Sequence, residues 1–193
     1  DHNVFAPALP DPQRRLISLP GCEYRLGTQG PEANIIGART TAPLGIPEAD
    51  AAAAIRALDA FVIYNHPNWH FDHWLTRDML AWRCADAIEV YNALVEHLAG
   101  FAESSDKWDI LLSCGHRVWG VATDDAHHAP QRNFAWVMAN ADRNEHSILA
   151  ALKAGRFYAS SGVEIESITL RDGVLTVRTN PEYLVRFIAE RGQ

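Results

Sequence analysis

Short apolar runs along the chain alternate with stretches in which apolar residues recur at helical spacing. Several of these runs contain no polar residue, which is typical of strands covered on both faces of a parallel sheet. Strands that alternate with helices predict βα units around such a sheet. The predicted strands are Leu16–Leu19 with Gly21–Tyr24 directly after it, Asn34–Gly37, Phe61–Asn65, Ala87–Tyr91, Ile110–Leu112 and Val118–Thr123.

Four helices are predicted from their start signals. They begin at Pro47, Thr76, Ala93 and Asn144. Proline suits the first turn of a helix because it lacks the N–H that would have no partner there, and Thr76 is a favourable N-cap. Gly155 is placed to end the last helix, since glycine readily adopts the left-handed conformation that closes one.

The end of the chain has a different pattern. Asp172-Gly173 lies between two alternating runs, Glu164–Leu170 and Val174–Thr179, and this arrangement predicts a β-hairpin. We therefore predict a barrel-like domain over residues 1–162 and a small β extension over residues 163–193.

Composition narrows the class of protein. The 193 residues suffice for one domain with a core, and 48% apolar with 21% charged residues is ordinary for a globular protein. A net charge of −7 disfavours binding to nucleic acid, and no apolar run approaches the ~20 residues that span a bilayer. The three cysteines form no CxxC pair, which indicates free thiols in a reducing compartment, so a cytoplasmic location is expected. The oligomeric state is left open.

The candidate chemistry lies where predicted strands end. Acids or histidines occur at or near these ends, as in parallel α/β folds whose functional residues gather at the carboxyl ends of strands. They are Asp1, His2, Glu23, His66, Glu89, Asp125 and His127. Imidazole and carboxylate groups are the ligands expected for Zn²⁺, Mn²⁺ or Fe²⁺ in hydrolytic sites. Asp125 and His127 would face the same way on an extended chain, because strand side chains repeat every two residues.

A set of short motifs, in order along the chain, resembles the polymerase-and-histidinol-phosphatase (PHP) superfamily of metal-dependent phosphoesterases. The nearest branch includes carbamate and ester hydrolases. The motifs are Asp1-His2-Asn3, Gly21-Cys22-Glu23, Asn65-His66-Pro67, Ala87-Ile88-Glu89-Val90-Tyr91-Asn92, Thr123-Asp124-Asp125-Ala126-His127 and the segment Ala151–Gly162. The resemblance covers almost the whole chain.

The resemblance implies a distorted (β/α)7 barrel that holds up to three divalent metal ions. The metal ligands it implies are His2, Glu23, His66, Asp125 and His127, with Glu23 bridging two metals. It implies hydrolysis of a phosphoester, or of a related carboxyl or carbamate ester, by a metal-activated hydroxide. Glu23, Asp125 and His127 are the expected catalytic residues, and the substrate is expected to be a small molecule. Residues expected to contact it are Arg25, Glu89, Asn92 and His128.

The chain departs from the family pattern at two places. The family's first strand carries His-x-His and a later Asp upstream of the motif seen here at Asp1-His2-Asn3. Either that segment precedes Asp1 in the natural protein, or the protein has a reduced site and a barrel without its first strand. The second departure is Glu32, which stands where the family often has a histidine and is an additional candidate ligand.

Other interpretations stay open. His70 and His73 could line the substrate pocket, lie on a surface loop, or extend the metal site, because helical spacing would place them on one face with His66. At the level of the whole chain, a degenerate domain that binds metal or ligand without turnover is the alternative to an enzyme. A third hypothesis is an ordinary βα domain whose polar strand ends are structural.

Overall fold

The computed structural model describes residues 2–13, 15–71, 73–180 and 183–189. The strands are β1 (Gly21–Arg25), β2 (Glu32–Ile36), β3 (Phe61–Tyr64), β4 (Ala87–Asn92), β5 (Trp119–Thr123), β6 (Trp136–Ala139), β7 (Phe157–Ser160), β8 (Glu164–Arg171) and β9 (Val174–Asn180). The helices are α1 (Glu48–Arg56), α2 (Thr76–Trp82), α3 (Ser105–Ser113) and α4 (Glu145–Lys153), with short 3₁₀ turns at Val95–His97 and Ala129–Gln131. None of the helices within these ranges has the length and hydropathy needed to cross a membrane.

The main sheet is open and mixed. Its five strands are ordered β1-β2-β3-β4-β5, with antiparallel pairing from β1 to β3 and parallel pairing from β3 to β5. β6 with β7 and β8 with β9 form separate two-stranded sheets. The predicted (β/α)7 barrel is therefore wrong for the described part of the chain. The sheet ends at β1 and β5 instead of closing, and the antiparallel steps at β2 depart from a βα repeat.

Both faces of β3 are covered, as its unbroken apolar sequence requires. Val62 and Tyr64 pack into a core shared with helices α1, α2 and α3. Phe61 and Ile63 point the other way and pack with Leu152 of α4 and Phe157 of β7. The alternation of side chains along a strand thus places helices on one face, and α4 with the β6–β7 pair on the other.

Three element predictions are wrong. Leu16–Leu19 forms no strand, and Ile110–Leu112 lies inside α3, where Leu111 is buried while its two neighbours are exposed. The helix predicted from Ala93 is limited to the 3₁₀ turn Val95–His97. In addition, β6 and β7 were not predicted.

Several predicted helix boundaries are confirmed. α1 starts directly after Pro47, Asn144 caps α4 by accepting a hydrogen bond from the Ser147 N–H at 2.9 Å, and Gly155 (φ +67°) follows the end of that helix. Thr76 is the first residue of α2 rather than its N-cap. The division of the chain at residues 162 and 163 stays a prediction.

The predicted hairpin is confirmed. Arg171 pairs with Val174, and both residues of the intervening turn, Asp172 and Gly173, have positive φ values of 50° and 78°. This is the backbone of a type I′ turn, whose twist matches that of the flanking strands.

Candidate metal centre

One edge of the main sheet gathers the polar residues. β3, β4 and β5 run in parallel, so His66 and Asp125, which follow β3 and β5, emerge at the same edge. β2 runs in the opposite direction, and its first residue, Glu32, therefore reaches that edge as well. Glu23 on β1 pairs with Asn34, and Arg25 pairs with Glu32, which places all four side chains on one face.

Glu32 is the centre of the cluster and is only 1% exposed. Its Oε1 lies 2.8 Å from His2 Nδ1 and accepts a hydrogen bond from Arg25 Nε at 2.7 Å. Its Oε2 lies 3.4 Å from His66 Nε2 and 3.8 Å from His73 Nε2. The Glu32 carboxylate is therefore surrounded by three imidazoles and one guanidinium.

Glu23 occupies a similar position between two histidines. Its Oε2 lies 3.6 Å from His2 Nδ1, and its Oε1 lies 3.5 Å from His66 Nε2. Asn65 Nδ2 donates to Oε1 at 2.8 Å. Burial would raise the pKa of Glu23, but the hydrogen bonds from His66 and Asn65 lower it to about 2, so this carboxyl group is ionised at neutral pH.

The backbone of His66 is hydrogen-bonded to the buried carboxylate of Glu89. Glu89 Oε2 accepts hydrogen bonds from the His66 N–H at 2.6 Å and from Asn92 Nδ2 at 2.9 Å, while Oε1 accepts from Thr123 Oγ1 at 2.7 Å. Burial raises the pKa of Glu89, although the nearby His66 opposes that shift. Glu89 therefore connects the ends of β3, β4 and β5.

The backbone at two candidate ligands is strained. His66 has a φ of 30° and Asp125 a φ of 50°, in the left-handed region that costs a non-glycine residue about 1 kcal/mol or more. Such conformations are kept where the surrounding structure fixes them, and they concentrate at functional sites. Here the constraint comes from the hydrogen bond that the His66 N–H donates to Glu89 and from the one that Asn92 donates to Asp125.

Asp125 and His127 line the same cavity as the two glutamates. Asn92 Nδ2 donates to Asp125 Oδ2 at 3.2 Å, and burial raises the pKa of Asp125. His127 Nδ1 lies 2.9 Å from the Asp125 carbonyl oxygen. Because a carbonyl only accepts hydrogen bonds, Nδ1 carries the proton and Nε2 keeps the lone pair that a metal or a proton would take.

His73 enters the cluster from the loop after β3. Burial, together with the charges of His66 and Arg25, lowers the pKa of His73 to about 3, so its imidazole is neutral. Its Nε2 accepts a hydrogen bond from the Glu32 N–H at 3.1 Å. Binding a cation through Nε2 would compete with this bond.

The donor set fits a divalent cation. Two groups of three side chains, His2 with Glu23 and Glu32, and Glu32 with His66 and His73, have donor atoms that all lie within 4.8 Å of one another. The buried His66 Nδ1 has no hydrogen-bond partner within the described chain, which is unusual for a buried imidazole nitrogen. Nitrogen and carboxylate oxygen donors at this density match the ligand preferences of Zn²⁺, Mn²⁺ and Fe²⁺.

The structure places the residues singled out from the sequence in three groups. His2, Glu23, Glu32 and His66 form the cluster, and Asp125, His127 and His128 line the same cavity of about 300 Å³ without joining either group of three. Arg25, Glu89 and Asn92 lie behind the cavity lining and contact the cluster or Asp125. Asp1 lies outside the described residues.

Sequence reasoning missed several residues around the site. Trp69, Leu94, Val95 and Leu98 line the cavity, and Gln131 Oε1 accepts hydrogen bonds from the His127 and His128 N–H groups at 2.9 and 2.8 Å. The apolar residues follow strand ends as the ligands do, but apolar side chains there gave no functional signal. The spacing of His66, His70 and His73 was the available signal for His73.

Comparison with known proteins gives one line of support for the fold. No protein-family model and no curated protein matches the chain. A solved structure from Bacteroides vulgatus, described as a two-domain protein containing a predicted PHP-like metal-dependent phosphoesterase, has a similar fold, with a TM-score of 0.55 and 20% identity. The match covers 82% of this chain and 54% of the other, so this chain spans about half the length of that protein.

Proposed function

We propose that this chain is a metal-dependent hydrolase of the PHP superfamily that cleaves a phosphoester or a related carboxyl or carbamate ester. The observation that carries the proposal is the cluster of His2, Glu23, Glu32 and His66 at the floor of a cavity. The fold similarity to a PHP-like protein supports the same conclusion. Among the described residues, Arg25 supplies the one guanidinium beside the two glutamates, and a divalent cation would add the positive charge that a pair of carboxylates requires.

The contacts of Glu23 support the prediction that two cations would share this carboxylate. One carboxylate oxygen faces His2 and the other faces His66, and Glu32 repeats this pattern directly beside it. His2, His66 and the two glutamates would hold the cations, and Asp125 and His127 line the same cavity. A divalent cation supplies Lewis acidity and lowers the pKa of water, which makes a nucleophile available at neutral pH.

The protein's own groups would bind the substrate and move protons. His127 Nε2 carries the lone pair, and Asp125 is held by the Asn92 amide, so these two side chains can exchange a proton with water or with the leaving group. The His128 side chain lines the same cavity wall and would contact the substrate. Glu89 and Arg25 would act indirectly, by holding His66 and Glu32.

The test uses metal analysis followed by turnover of bis(p-nitrophenyl) phosphate with Mn²⁺ or Zn²⁺. We expect bound metal and hydrolysis in the original protein, and at least about a tenfold loss of metal affinity in Glu23→Gln and His66→Ala. His146→Ala removes an exposed histidine of α4 and should change neither quantity.

The outcomes separate the hypotheses. Metal binding without turnover of either this diester or p-nitrophenyl acetate would identify a binding domain and refute the enzyme. A protein that purifies without metal, takes up none, and keeps its stability in chelator would refute the metal site itself.

A further inference from the structure

The cavity at the metal cluster is lined by two kinds of side chain. The carboxylates and imidazoles described above form one set, and Trp69, Leu94, Val95 and Leu98 form the other, which we call the apolar side. Neither Lys nor Arg is among the described residues that line it. A ligand group on the apolar side would therefore contact aliphatic side chains and an indole ring, and no lysine or arginine among the described lining residues would balance a negative charge on that group.

Backbone contacts fix this apolar side in place. Trp69 pairs with Gly100 across an antiparallel bridge, and the Trp69 N–H donates to the His66 carbonyl at 2.9 Å. The Val95 N–H donates to Asn92 Oδ1 at 3.2 Å. Gly100 has a φ of 118°, and a Cβ there would overlap the Asn68 carbonyl oxygen, so only glycine allows the two loops to approach this closely.

Part of the apolar side also lines a second depression. Val95 and Leu98 line it together with Phe101 and the carboxylates of Glu96 and Glu103, and neither Lys nor Arg is among its described lining residues. Leu98 is 46% exposed, and the exposed rings of Phe101 and Phe71 pack edge to face, with centroids 6.5 Å apart. Exposed apolar side chains beside a polar cluster are typical of a ligand site.

Resting on the proposed function, we propose that the substrate is an ester with a bulky, uncharged apolar group next to the scissile bond. The ester group lies at the His/Glu cluster, and the apolar group lies against Trp69 and Leu98. A cavity of about 300 Å³ holds a ring-sized group but not a protein segment, which favours a small molecule as the occupant.

The binding test uses two anions that carry the same charge and resist hydrolysis, methyl phenylphosphonate and methyl methylphosphonate. Calorimetry on the Mn²⁺-loaded protein should show about tenfold tighter binding of the phenyl compound, because more apolar area leaves water. Leu98→Ala should reduce this preference to about threefold or less. Leu112→Ala is the matched control, since Leu112 is similarly exposed at 42% but lies on α3, outside the cavity lining.

A kinetic test uses the p-nitrophenyl monoesters of the same two phosphonates. The kcat/KM of the phenylphosphonate ester divided by that of the methylphosphonate ester should fall in Leu98→Ala and stay constant in Leu112→Ala. Each variant is measured with both esters, so the difference in their intrinsic reactivity cancels when the ratios are compared between variants. Equal affinities for the two methyl esters, or ratios unchanged by Leu98→Ala, would refute the apolar subsite. Loss of all metal-dependent hydrolysis, measured with bis(p-nitrophenyl) phosphate on the same preparation, would instead refute the proposed function.

Discussion

Lys107 of α3 tests how the metal site is held in position. It is 4% exposed, and its Nζ donates to the carbonyl oxygens of Pro67 at 2.9 Å and Trp74 at 2.7 Å. These carbonyls lie near the two ends of the histidine loop, which we define as residues 67–71 with 73 and 74. The loop directly follows His66 and contains His73, so Lys107 fixes a segment that adjoins one of these imidazoles and carries the other.

We expect Lys107→Met to weaken metal binding more than its effect on folding would explain. Each lost hydrogen bond costs about 1 to 3 kcal/mol, since the carbonyl acceptor stays buried. Two such losses amount to about 2 to 6 kcal/mol of folding free energy. Misplacement of the ligands should in addition lower the affinity for Co²⁺ about 10- to 100-fold, the range found when groups that support metal ligands are removed.

The assay is a Co²⁺ titration followed by visible absorption, alongside urea unfolding of the metal-free protein. Leu111→Ala is the control, because Leu111 is fully buried one turn further along α3 and packs in the core, and its loss should cost a similar 2 to 5 kcal/mol. Lys107→Arg, which keeps donors at this position, should recover part of the affinity. If Lys107→Met and Leu111→Ala lower the Co²⁺ affinity equally, or Lys107→Met leaves it unchanged, the positioning role is refuted.

Two further predictions concern the thiols and the loop contact. Burial raises the pKa of Cys84 to about 11, whereas Cys114 is exposed. Iodoacetamide at pH 8 should therefore modify Cys114 and leave Cys84 unmodified in the folded protein, as measured by peptide mass spectrometry. Rapid labelling of Cys84 in the folded protein would contradict this prediction. Gly100→Ala should lower the free energy of unfolding by about 1 to 3 kcal/mol, through strain and overlap with the facing loop. Gly115→Ala, which also has a positive φ but no neighbour within 4 Å, should cost less in the same urea titration, and equal losses would disprove the overlap.

Local signals predicted local structure well. The unbroken apolar run at β3 and the Asp172-Gly173 turn carry their own structural information, because burial on both faces and positive φ are properties of single segments. Ile110–Leu112 was misassigned because three consecutive apolar residues fit a strand as well as one turn of a helix. The barrel was wrong because closure of a sheet depends on the pairing of distant strands, which no single segment specifies.

The candidate site was predictable where the candidate ligands follow parallel strands. His66 and Asp125 were identified in this way, whereas Glu32 reaches the same edge only because β2 is antiparallel. A strand direction is decided by the loops and partners around it, so the resemblance, rather than the hydrophobic pattern, pointed to Glu32. His73 was left open because its position depends on an irregular loop held by a buried lysine on a distant helix.

The arrangement of the donors has a consequence for the order of folding. Glu23 and Glu32 lie on the neighbouring strands β1 and β2, whereas His66 joins them only after β3 has paired with β2 across helix α1. The complete set of donors therefore depends on a longer-range pairing, and non-local pairing of this kind is slow. A cation would therefore bind late in folding and act mainly by slowing unfolding. The metal supply would then change the lifetime of the native state more than the rate of folding.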